Sequence, residues 1–577
     1  MRKLIFFCLL LTVQASLAQP SFDKYLQNES LTYAELIFLY QQLAKKHPKE
    51  AKLFEYGKTD AGYPLHLFVI SKNGDFNPES LKQKNIRIIL INNGIHAGEP
   101  CGTDASINLA KDFLAHKKGM DKFLGNTVLC IIPVYSIGGS LNRGCCSRVN
   151  QDGPMEYGFR GNSRNLDLNR DFIKCDSENT KSFSQIFHLW NPDIFVDTHS
   201  TNGADYPYVM TLIPSQKDKL TKSLGDFTTD KMLPYLYQKM EERNFPMSPY
   251  VNTIKEIPED GLKGFLETPR YSTGFAALFN TIGFVTEAHM LKPFPERVSA
   301  TYEFLLLLTE FTSNNAEAIA KARAEANKAV LSQKEFAISW QLDTTLFDLL
   351  AFSGYQARNK TSNITGLERL YYDKERPYKT DIKYFNHYFP KIEVTKPEYY
   401  IVPQGWKEVV DRLKLNQVKM EQFKQDSIIA AEVYRIEDYK TTEKPFEGHY
   451  LHSQVMVRKE KSMVNIYKGD YLIRVNQPQN RYIVETLEPQ AVDGFFAWNF
   501  FDEILQQKEY FSAYIFEEIA EKLLKENEAL RMDFEQKQAT DKEFASNAYA
   551  QLNFIYQRST YFEKSYLRFP VYRIVID

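Results

Sequence analysis

Apolar residues return at helical spacing over residues 32–46, so this segment predicts an amphipathic helix opening after a cap at Ser30. Strand-like runs follow at 64–71 and 86–92, and the second is almost wholly apolar, the pattern of a strand buried on both faces. Beyond it comes a polar loop, Asn93-Gly94-Ile95-His96-Ala97-Gly98-Glu99-Pro100, before helical periodicity resumes over 103–115. The alternation repeats with a strand at 127–136, a helix at 180–190, a short strand at 193–197 ending in Thr198-His199-Ser200, and a strand at 282–286 ending in Glu287. Such alternation predicts an α/β fold: a mostly parallel, mixed sheet flanked by helices.

Helices over 300–312 and 315–331 close this unit. After residue 332 the pattern shifts to alternating strand-like runs at 399–402, 454–457 and 471–475, then two long amphipathic helical stretches at 512–527 and 531–557. The expected organisation is a catalytic domain over 19–331 and an α+β accessory region over 332–577, possessing neither a catalytic constellation nor an internal repeat.

The first 18 residues begin with Arg2 and Lys3, continue through an apolar run from Leu4 to Val13, and end in Ser16-Leu17-Ala18. That is the pattern of a cleavable signal peptide, and its apolar run is about half the ~20 residues that span a bilayer. The expectation is a secreted or periplasmic protein with no transmembrane segment after signal removal. Losing Arg2 and Lys3 takes the formal charge of the 577-residue chain from -2 to -4. No basic block tracks a phosphate backbone, which argues against a nucleic-acid partner. Of the cysteines, Cys101, Cys130, Cys145, Cys146 and Cys175 remain after signal removal. An odd number leaves at least one thiol free, and the neighbours Cys145 and Cys146 are not expected to bond each other.

Two His-x-x-Glu pairs occur, and spacing alone does not separate them. His47 and Glu50 follow the charged end of a helix, among Lys45, Lys46 and Lys49, and read as surface residues. His96 and Glu99 follow a buried strand, and His199 and Glu287 also fall at carboxyl ends of strands, where open α/β sheets bind their ligands. His96, Glu99 and His199 form a His₂Glu set suited to one catalytic Zn²⁺ per chain, with Glu287 placed to take a proton from water.

In order and separation, His96-x-x-Glu99, Asp167-Leu168-Asn169-Arg170, His199-Ser200 and Glu287 resemble the zinc carboxypeptidase (funnelin) family over about residues 30–312. The resemblance implies zinc ligands at His96, Glu99 and His199, a general base at Glu287, and Asp167 holding the ring of His96. It implies that Asn169 and Arg170 grip the free carboxylate of a peptide. Arg160 would polarise the scissile carbonyl, with Arg164 the alternative, and Tyr271 is the candidate substrate-capping tyrosine. His289, two residues beyond Glu287, is expected to be structural or to support a ligand. The implied activity is removal of C-terminal residues from peptides by a zinc-activated water. An amidase acting on cell-wall peptides or acyl-amino acids is the alternative within this chemistry, and a catalytically retired binding protein the alternative outside it. Side-chain preference and oligomeric state stay open.

Overall fold

The computed structural model describes residues 20–575, so the expected signal peptide lies outside the described residues. An eight-stranded mixed sheet forms the first half. Its strands are β1 (Ala51–Tyr56), β2 (Leu65–Ile70), β3 (Arg87–Asn92), β4 (Thr127–Ile132), β5 (Ile194–Thr201), β6 (Met210–Pro214), β7 (Met247–Pro249) and β9 (Ile282–His289), in the order β1-β2-β4-β3-β5-β9-β6-β7. The central strands β4, β3, β5 and β9 run parallel, while the pairs β1–β2, β2–β4 and β9–β6 are antiparallel and β6–β7 is again parallel.

Alternate residues of each strand feed opposite layers. Ile88 and Leu90 join Phe183, Phe187 and Trp190 of the helix Glu178–Trp190, whereas Ile89 and Ile91 join Ile107, Phe113, Phe304 and Leu308 from helices on the other face. This period of two explains why β3 reads as an unbroken apolar run: both of its faces are covered.

Several expectations need adjusting. The first helix is Tyr33–Lys46, capped by Thr32 rather than Ser30: the Thr32 hydroxyl accepts the Glu35 N–H, and Glu35 reaches back to the Thr32 N–H. The strand expected at 193–197 runs on to Thr201, because pairing with β9 continues through His199 and Thr201. The helical stretch at 531–557 is broken into Glu528–Thr540, Lys542–Ala545 and Ala548–Gln557, since Asp541 and Asn547 each accept a backbone N–H at the start of a new helix. Cys145 and Cys146 do form a disulfide, the left-handed backbone at Cys146 turning neighbouring side chains together. Cys101, Cys130 and Cys175 are buried thiols.

The second half is β-rich. A six-stranded sheet contains the long hairpin Ser427–Thr441/His452–Ile466, and a second hairpin, Asp348–Thr361/Glu368–Phe385, pairs in parallel with β8 (Leu262–Lys263). The core does not stop at residue 332. Tyr482 stacks on Phe279 at 5.5 Å, and Ile483 and Leu487 belong to the same apolar cluster as Phe183 and Phe275. Among the described residues, no helix is long and apolar enough to cross a membrane.

Candidate active site

β3 and β5 run side by side in parallel, so the loop after β3 and the end of β5 meet at one edge of the sheet. His96 and Glu99 come from that loop, and His199 from β5. All three are buried, and their ligand atoms lie within 4.8 Å of one another.

Each imidazole uses Nε2 for support. His96 Nε2 is 2.9 Å from Asp167 Oδ1, and His199 Nε2 is 2.9 Å from Asp197 Oδ2. The Nδ1 atoms are thereby turned inward, each 3.2 Å from a different oxygen of Glu99. His96 Nδ1 is buried without a hydrogen-bond partner. An orphaned imidazole nitrogen, a second imidazole aimed at the same point and a carboxylate between them fit Zn²⁺. Carboxylates on the far ring nitrogens fix the tautomer and make each imidazole a better donor.

Glu99 is oriented from both sides: Ser200 N–H donates to Oε2 at 2.8 Å, and Arg148 Nη2 donates to Oε1 at 2.9 Å. Burial alone would raise its pKa, but Arg148 and His96 outweigh burial and hold it well below the ordinary carboxylate range. Burial likewise opposes the charge of His199, yet Asp197 and Glu99 hold its pKa well above the usual value. Gly98 leaves room for this arrangement, since a Cβ there would lie 2.8 Å from Arg148 Cδ and 2.9 Å from Gly158 O.

Glu287 stands opposite His199 in the β5–β9 register. Burial pushes its carboxyl up to about 7, partly offset by His199. It shares a cavity of about 460 Å³ with His96, Glu99 and His199, and with Arg160, Asn169, Arg170 and Tyr271 on the walls.

Arg160 donates to Asp167 Oδ2 through Nε at 3.1 Å and Nη2 at 2.8 Å, leaving Nη1 3.6 Å from Glu99. Arg164 instead donates to Asp176 O at 3.2 Å and does not line the cavity. Asn169 Oδ1 accepts Ser272 N–H at 3.2 Å, while Arg170 donates to Asn169 O and lies 4.6 Å over the Tyr271 ring. His289 is occupied elsewhere: Nε2 meets Ala204 O at 2.8 Å, and the ring packs against Tyr206.

Asp197 and Arg148 escape the reading of the sequence. Asp197 had a usable signal, because residues two apart on one strand share a face with His199. Arg148 lies in an irregular loop with no periodicity to place it.

Fold and donor set together define a zinc carboxypeptidase-like α/β hydrolase. Residues 37–254 match the sequence model of the zinc carboxypeptidase family. Carboxypeptidase 2 of Trichophyton equinum is 21% identical over 472 residues, covering 75% of this chain and 77% of the relative. Carboxypeptidase 2 of Trichophyton rubrum is 20% identical over 468 residues, with shares of 75% and 77%. Among solved structures, a metallo-carboxypeptidase from Burkholderia cenocepacia aligns with a TM-score of 0.38 and 14% identity, over 49% of this chain and 70% of that one. The enzyme class is therefore metallocarboxypeptidase-like hydrolase, and the cofactor of that family is Zn²⁺, for which His96, Glu99 and His199 form the candidate triad.

Proposed function

We propose that this chain is an exported carboxypeptidase that removes C-terminal residues from peptides bearing a free carboxylate. The observation that carries this reading is the shared cavity, in which Arg170 and Asn169 stand on the same walls as Glu287 and the His96–Glu99–His199 triad. A carboxylate held by Arg170 lets only a chain end enter, so the bond presented to Glu287 is the terminal one.

When bound by His96, Glu99 and His199, Zn²⁺ supplies a Lewis acid that lowers the pKa of water and polarises a carbonyl. Glu287 takes the proton of the attacking water and returns it to the departing amine. A carboxyl near pH 7 suits both transfers. Arg160 donates to the oxyanion developing on the scissile carbonyl. Arg170 presents a planar fork to the terminal carboxylate, Asn169 adds a hydrogen bond, and Tyr271 covers the bound residue. Asp167 and Asp197 keep both imidazoles in register throughout.

The catalytic unit is read as residues 19–331, with residues 332–577 an accessory region that supports its rim. Arg270, next to Tyr271, is gripped by Asp493 at 2.7 Å. Lys374 on the second hairpin reaches Asp205, beyond the end of β5, at 3.1 Å. Export rests on the leader-like first 18 residues.

The test is hydrolysis of matched free-acid and C-terminally amidated peptides by zinc-loaded protein, with a chelator control. Chelator-sensitive release of the terminal residue from the free acid alone supports the reading. Equal cleavage of both removes it, and zinc-loaded protein inert on both points to wall peptides or acyl-amino acids.

A further inference from the structure

The loop bearing Asn169 and Arg170 is held from the far half of the chain. Asp167 opens this loop, and its carboxylate is fully committed: Oδ1 faces His96 and takes the Asn169 N–H, while Oδ2 takes Arg160. Its own backbone N–H donates at 2.7 Å to Glu447 Oε2, across 280 residues of sequence.

Glu447 sits where glutamate is out of place. Phe446 and His449 pair across a tight turn, Phe446 N–H donating to His449 O and His449 N–H to Phe446 O. The central residues, Glu447 and Gly448, have φ of 50° and 85°. Two positive φ values in a hairpin turn favour Asn, Asp or Gly, and a glutamate there carries steric strain. The turn is anchored at both shoulders. His449 Nε2 meets Asp176 Oδ2 at 2.8 Å, and Phe446 stacks on Trp498 at 6.1 Å. Nothing in the hairpin itself calls for the carboxylate, whereas the Asp167 N–H does. Glu447 does not line the cavity, so it acts through the loop.

We propose that Glu447 is a positioning residue of the substrate cleft. By accepting the Asp167 N–H from the accessory region, it sets the Asp167–Arg170 segment at the spacing with which Asn169 and Arg170 meet a terminal carboxylate. The inference rests on the reading of those two residues as the carboxylate clamp. It gives the accessory region a share in substrate recognition.

The experiment compares full-length, zinc-loaded wild type with Glu447→Ala and Glu447→Gln. Glutamine keeps an acceptor oxygen and removes the charge, and both replacements occupy the left-handed position with strain similar to that of glutamate. On a free-acid peptide, Glu447→Ala is expected to raise KM about tenfold with kcat changed less than about twofold, and Glu447→Gln to recover most of that loss. Zinc stoichiometry should stay the same in all three. An unchanged KM in Glu447→Ala, or a Gln variant as impaired as Ala, overturns the proposal. Hydrogen exchange at the Asp167 amide, read by mass spectrometry, gives a result even if no peptide is cleaved. Faster exchange in Ala but not in Gln supports Glu447 although the clamp reading has failed, and equal exchange in all three overturns it.

Discussion

Asp197 and His199 project from the same face of β5, and the Asp197 carboxylate takes His199 Nε2 at 2.9 Å, which leaves Nδ1 aimed at Glu99. The carboxylate thus fixes which nitrogen is free to bind a metal. Asp197→Ala should lower zinc affinity by roughly 10–100-fold, the usual cost of losing such a support. Competition with a chromophoric chelator measures it, and unchanged affinity would show that the strand alone orients the ring.

His199→Ala and Glu287→Gln separate binding from proton transfer. The first should abolish zinc retention and activity together. The second should keep the metal and lose about 10²–10⁴-fold in kcat, the range for general acid–base groups. Metal analysis alongside kcat checks both, and a zinc-loaded Glu287→Gln protein turning over near the normal rate would sink the assigned role.

Arg170→Ala should act on substrates with a free terminal carboxylate and spare amidated ones. Loss of a bidentate, charge-assisted pair corresponds to roughly 10–100-fold in kcat/KM. Equal losses on the two kinds of peptide would mean that Arg170 serves the fold rather than the substrate.

Asp104 offers a pH test away from the cleft. It is fully buried beneath Leu31 N–H and the Thr103 hydroxyl, and burial pushes its carboxyl from 3.8 up to about 7. A raised folded-state pKa contributes stability that is complete below the unfolded value and is lost as pH rises through the folded one. Asp104→Asn should therefore match wild type near pH 4 and gain on it by pH 8, by roughly 4 kcal/mol at most. Thermal melts at the two pH values check the sign. A gain that is the same at both would remove the titration as its cause.

The sequence made the triad and Glu287 readable because His96 and Glu99 follow one apolar strand, and His199 and Glu287 lie near the carboxyl ends of two others, where a polar residue stands out against its surroundings. The central sheet was legible for the same reason. β6 and β7 were not, being only 5 and 3 residues long. Arg148 and Glu447 were hidden for another reason: both lie outside regular helices and strands, and Glu447 meets its partner across 280 residues of sequence. The Asp541 and Asn547 caps were visible as residue types, but amphipathic spacing continues through both breaks and masks them.

The apolar core that runs unbroken from Phe183 and Phe275 to Tyr482 and Leu487 makes the two halves thermodynamic partners rather than neighbours. Cutting the chain after residue 331 would leave Phe279 facing water where Tyr482 now stacks on it. The accessory half therefore covers apolar surface that the first half would otherwise expose. Calorimetry of the intact protein should record a single cooperative endotherm, and neither half should be exchangeable for a module from another protein without resurfacing the seam.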